Sequence, residues 1–68
     1  MTISVGDMVH RADTQDAIEY FLRVGIRNVP MHVLEVNRKI VPARLRLLAY
    51  YDMSTIEVYE DQITKVEP

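Results

Sequence analysis

Residues 43–51 read ARLRLLAYY. Ala43, Leu45, Leu47, Ala49 and Tyr51 fall on one parity, and Arg44, Arg46, Leu48 and Tyr50 on the other. Side chains of a strand alternate between two faces, so this period of two predicts a half-buried strand. Ile56 and Val58 repeat the apolar parity a few residues on, with Glu57 and Tyr59 on the opposite side. If 43–51 and 55–60 form a hairpin, their apolar faces must coincide. The expected register pairs Tyr51 with Ile56 and Ala49 with Val58. The connection is then Asp52-Met53-Ser54-Thr55 or its inner two residues. It has no glycine or asparagine to accept positive φ, so the four-residue loop is expected.

The rest of the chain is organised around that hairpin. Ile3, Val5, Met8 and Val9 flank Gly6-Asp7 and predict a short strand with a bend or bulge at the glycine. Ala12 to Asp16 is a helix start, with Asp13 able to cap the free amides and Asp16 adding charge to the first turn. Ala17, Ile18, Phe21 and Leu22 form one apolar stripe, opposite Gln15, Asp16, Glu19 and Arg23. Gly25 stands where a left-handed residue ends a helix, and Ile26 can fold back on Phe21. The helix is therefore expected at about 14–24. Met31 to Val36 reads as a strand, Asn37-Arg38-Lys39 as a turn, and Ile40 to Tyr51 as a long strand interrupted at Pro42. Proline cannot donate to a ladder, so an edge or bulge is expected there. Glu60-Asp61-Gln62 reads as a tight 3-10 turn. Ile63 and Val66 return to the core on a last strand that stops at Pro68.

With 68 residues the chain makes one domain, 1–68, with a small core. Cysteine is absent and there are two histidines, so neither disulfides nor a structural zinc site is expected to staple it. Self-association or a partner is the remaining route to extra stability. The net charge of −2 gives no global basic field for nucleic acid. MTISVGDMV has neither a basic leader region nor a long apolar run, and no stretch approaches a bilayer span. No membrane partner and a cytoplasmic location are the default expectation.

The predicted order is β-α-β-β-β-(3-10)-β, mainly β with one helix. VGDMV (5–9), MHVLEV (31–36) and IEVYEDQITKVEP (56–68) resemble the small SH3-like β-barrels. In these a Gly-Asp start followed by valine opens the first strand, and a polar turn before Ile/Leu-x-x-Val closes the last. The resemblance implies an SH3-like small barrel or roll, with the helix inserted after the first strand. An α+β roll is the alternative. IEVYEDQITKV (56–66) is also similar to the end of the plasmid-type dihydrofolate reductases, whose V-Q-I-Y strand lines the pore of a barrel tetramer. Ile56, Glu57, Val58 and Tyr59 fall at those positions. Glutamate replaces the family's glutamine, and the helix has no counterpart there.

Several residues could carry function. Arg38, Lys39, Arg44 and Arg46 are four cations within nine residues, followed by Tyr50 and Tyr51. Cations beside aromatics suit single-stranded nucleic acid. In the expected register, however, Arg46 faces Asp61 and Arg44 lies near the same acidic turn, an ordinary cross-strand charge pairing. That register also sets Leu48 opposite Tyr59 on the outer face with Tyr50 alongside. Such an apolar cluster flanked by Arg44, Arg46 and Glu57 resembles an interface core with a polar rim, covered by the helix, a partner or a second copy. His10 and His32 have no third ligand at a recognisable spacing. Glu57, Glu60 and Asp61 read as a solvated acidic turn rather than a catalytic pair. No cofactor is implied. The expectation is a non-enzymatic binding module that forms a homo-oligomer or joins a larger assembly through Leu48, Tyr50, Tyr59, Arg44 and Arg46. The alternative is a nucleic-acid-binding accessory protein using Arg38, Lys39, Arg44, Arg46 and Tyr50. An oligomeric pore-type reductase is the third class.

Overall fold

The computed structural model describes residues 2–66. The elements follow the expected order: β1 (Met8–Arg11), α1 (Gln15–Val24), β2 (Met31–Asn37), β3 (Arg44–Ala49), β4 (Ser54–Tyr59), a 3-10 turn (Glu60–Gln62) and β5 (Ile63–Lys65). Pro68, the expected end of the last strand, lies outside the described residues. All pairings are antiparallel, and the strand order is β4-β3-β2-β1-β5. The chain neighbours β4 and β5 thus lie at opposite edges of one sheet. In a flat sheet these edges would be ~19 Å apart, whereas a three-residue 3-10 turn advances only ~6 Å. The sheet is therefore curled into a small roll, with the core on its inner face.

That core contains Val9, Met31, Val33, Leu45, Leu47, Ala49, Val58 and Ile63 from the strands, with Ile3, Ala43 and Phe21. The parity read at 43–49 holds: Ala43, Leu45, Leu47 and Ala49 are all buried. Each fully buried leucine contributes roughly 1.5–3 kcal/mol. Tyr51, expected inward with them, is 42% exposed, because β3 ends at Ala49 and Tyr51 stands in the loop.

The hairpin register differs from expectation by four residues. Ala49 pairs with Ser54, Leu47 with Ile56 and Leu45 with Val58. Parity is preserved, so the same side chains face inward; the four-residue loop is Tyr50-Tyr51-Asp52-Met53 instead of 52–55. Two local features set it there. Met53 itself takes the left-handed conformation, at φ 59°. Asp52 Oδ1 accepts from the Ser54 amide at 3.0 Å and from the Ser54 hydroxyl at 2.7 Å, which fixes the turn. These bonds, the hydroxyl's first, hold the Asp52 carboxyl below its ordinary value.

Other boundaries move for similar local reasons. The first strand begins only at Met8. Ser4 to Asp7 is a closed turn: the Asp7 amide donates to the Ser4 carbonyl at 3.1 Å, the Ser4 amide to Asp7 Oδ2 at 2.8 Å, and Gly6 sits at φ 93°. The helix cap is Thr14, not Asp13. Thr14 is extended, and its hydroxyl accepts from the Ala17 amide at 3.2 Å. Asp13 lies one position too early and pairs with Arg11 at 3.6 Å. Gly25, at φ 72°, ends the helix as expected. Its amide donates to Leu22 and the Ile26 amide to Phe21 at 3.0 Å, closing a Schellman motif. The apolar stripe is narrower than read: Ala17 and Phe21 are buried, but Leu22 is 76% exposed. α1 lies at the margin of the roll, packed chiefly on β1 and the 3-10 turn. No helix of the described residues is long and apolar enough to cross a membrane.

Candidate functional site

The register decides what becomes of the expected interface. Leu48 opposes Thr55 on one side and His32 on the other, and is half-buried between them. Tyr59 opposes Arg44, four positions along β3 and so ~13 Å away. Tyr50 leaves the strand, and its hydroxyl is hydrogen-bonded to His32 Nδ1, with the two rings edge-on at 5.1 Å. Leu48, Tyr50 and Tyr59 therefore form no single cluster. From α1, Tyr20 and Arg23 line a cleft with Tyr59 alone of the three, while Phe21 joins the core.

The cations are also placed differently. Arg46 faces Glu57, not Asp61, and reaches Glu35 at 2.9 Å and Glu57 at 3.7 Å. Arg44 Nε meets Glu57 at 2.6 Å, with its guanidinium 5.7 Å from the Tyr59 ring centre. Glu35 reaches this network through a bulge between Val33 and Glu35, which turns the carboxylate to the outer face. The sequence carried a signal for that bulge: the inward apolar positions of β2 run 31, 33, 36 and break the period of two. Arg38 meets Glu60 through two contacts at 3.0 and 3.2 Å and also donates to the Ile3 carbonyl. Of the four cations read as a nucleic-acid patch, these three are committed to acids and Lys39 stands apart. Tyr50 is at the far end of β3. His10 Nδ1 donates to the Arg11 carbonyl at 2.9 Å. No group of three or more His, Cys, Asp or Glu among the described residues could hold a metal ion.

What the structure assembles instead is a groove of about 550 Å³, lined by Thr14, Asp16, Ile40, Val41, Pro42, Tyr59, Asp61 and Gln62. Three segments distant in sequence build it: the start of α1, the β2–β3 connection, and the end of β4 with the 3-10 turn. The sequence predicts strand at Ile40, Val41 and Pro42, but β3 starts at Arg44, so they form an apolar wall on a loop. Val41 is 97% exposed, and Ile40 and Tyr59 are each more than two-fifths exposed. The same groove is lined by Asp16 and Asp61. Neither makes an ion pair within 4 Å among the described residues.

The apolar loop is held in place from below. Arg38 ties it to Glu60 and Ile3, Asn37 Oδ1 accepts from the Lys39 amide at 3.0 Å, and the Glu60 amide donates to the Ala43 carbonyl at 2.8 Å. Gln62 fixes the other wall, its Oε1 accepting from the Tyr59 amide at 2.9 Å. The groove is thus preorganised, which lowers the ordering cost of binding. Its available signal in the sequence was Ile40-Val41-Pro42, three consecutive apolar residues outside the alternation that begins at Ala43.

Comparison of the chain with protein-family models, with curated proteins and with solved structures returns no match.

Proposed function

We propose that the protein is a cytoplasmic, non-enzymatic protein-binding module that docks an extended segment of a partner in the groove between Ile40–Pro42 and Tyr59. One observation carries the reading: uncovered apolar residues, Val41 foremost, stand on a braced loop and share a groove with two unpaired aspartates. Apolar side chains grouped on a surface mark interaction sites, and the aspartates select a segment that brings a lysine or arginine. The outer sheet offers less, because Arg44 and Arg46 are neutralised by Glu35 and Glu57. The pairing of β1 with β5 and the 3-10 turn before β5 support the resemblance to SH3-like small barrels.

The test is selection from a phage-displayed library of random linear peptides, followed by rebinding to a Val41→Glu variant. Val41 buries almost nothing, so the variant should fold normally and lose binding at least tenfold. Selected peptides that bind the variant unchanged would remove the groove from the reading. Concentration-dependent sedimentation abolished by the same substitution would assign the groove to a second copy of the chain instead.

A further inference from the structure

We propose that the cleft between α1 and β4 is a second subsite of the same docking surface and takes an acidic side chain of the bound segment. This rests on the groove reading above and gives it a polarity. The cleft, of about 280 Å³, is lined by Tyr20, Arg23, Arg44, Glu57, Tyr59 and Gln62. Tyr59 and Gln62 also line the groove, so the two depressions share Tyr59 as their common ridge.

The charges on the two sides of that ridge are opposite. Asp16 and Asp61 stand unpaired on the groove side. On the cleft side, Arg23 has no acidic partner within 4 Å among the described residues. Glu57 is already engaged by Arg44 at 2.6 Å and by Arg46 at 3.7 Å, and it has no ion pair with Arg23. Of the remaining polar groups, Gln62 alone keeps a donor for an anion. The Tyr20 hydroxyl is committed to the Glu57 carbonyl at 2.6 Å. Gln62 has its oxygen engaged by the Tyr59 amide and keeps its amide nitrogen as a donor. A carboxylate entering the cleft meets a guanidinium and an amide donor, a charge-assisted arrangement. An extended segment laid across the ridge therefore sets an apolar residue on Tyr59, a basic residue toward Asp61 and an acidic residue toward Arg23.

The peptide selection tests this separately from the groove. On the wild-type protein, recovered sequences should carry Lys or Arg and Asp or Glu on opposite sides of an apolar residue. On an Arg23→Glu protein the acidic position should lose its enrichment, and a synthetic copy of a recovered peptide should bind two- to five-fold more weakly. Arg23→Gln, which removes the charge without reversing it, should give a smaller loss, and circular dichroism should show both variants folded. A copy with alanine at the acidic position should bind all three proteins equally. Basic, apolar peptides with no acidic preference, bound equally by wild type and Arg23→Glu, would overturn the subsite and leave the groove standing. Recovery of no peptide at low salt would overturn both.

Discussion

The hydroxyl of Tyr20 donates to the main-chain carbonyl of Glu57 at 2.6 Å, joining the middle of α1 to the outer edge of β4. β4 is an edge strand, and edges offer unpaired main-chain groups to other chains. Tyr20 covers one such group, and Gln62 covers another at the Tyr59 amide. Tyr20→Phe keeps the ring and removes the bond. It should cost about 0.5–1.5 kcal/mol and speed hydrogen exchange in α1 more than in β3. Unchanged melting and exchange would show that the contact carries no energy.

Gly25→Ala tests the helix end. An added Cβ meets nothing within 4 Å, so crowding plays no part. The φ of 72° alone should make alanine destabilising by about 1 kcal/mol. A chemical-denaturation midpoint equal to wild type would contradict the left-handed cap.

Met53 offers the opposite change. It holds φ 59° with a side chain 65% exposed, so little packing is lost on replacement. Asparagine tolerates this conformation better than methionine. Met53→Asn should stabilise by about 0.5 kcal/mol or more, a rise in Tm of roughly 2–4 °C for a domain of this size. A lower Tm would mean that the methionine side chain packs in a way its exposure does not reveal.

Asp52 gives a pH dependence. Bonds from Ser54 hold its folded carboxyl below the ordinary value, so the folded state binds this proton less readily than the unfolded chain. The stabilisation is complete above the ordinary carboxylate range and is lost as pH falls through the folded value. Thermal melts from about pH 6 to about pH 2 should show wild type above Asp52→Ala at the neutral end and the two converging in acid. A gap that widened in acid would contradict the assignment.

Much of the fold was legible because its signals are local. The alternation at 43–49, the glycine after Val24 and the acidic turn at 60–62 each name an element without help from the rest. The register was not, since a shift by four residues keeps every inward side chain inward. The turn decided it, through the conformation of Met53 and the hydrogen bonds of Asp52. The expected Leu48–Tyr59 cluster depended on that register and separated with it. The groove depends on residues 14–16, 40–42 and 59–62 meeting in space, which no period along one segment encodes.

The placement of β1 between β2 and β5 also orders events in time. Val9 pairs with both Met31 and Lys65, so the first strand cannot be flanked on both sides until nearly the whole described chain is available. The β3–β4 hairpin closes over a four-residue loop and loses little chain entropy in doing so, whereas joining β1 to β5 closes a far longer one. The hairpin should form early and the β1–β5 seam last. Substitutions at Leu47 should then slow folding, and substitutions at Ile63 should chiefly speed unfolding. The ridge at Tyr59 is anchored to the early hairpin, but its neighbour Gln62 belongs to the turn that leads into the late seam. The groove therefore becomes complete only as the roll closes, and an unfinished chain does not present it.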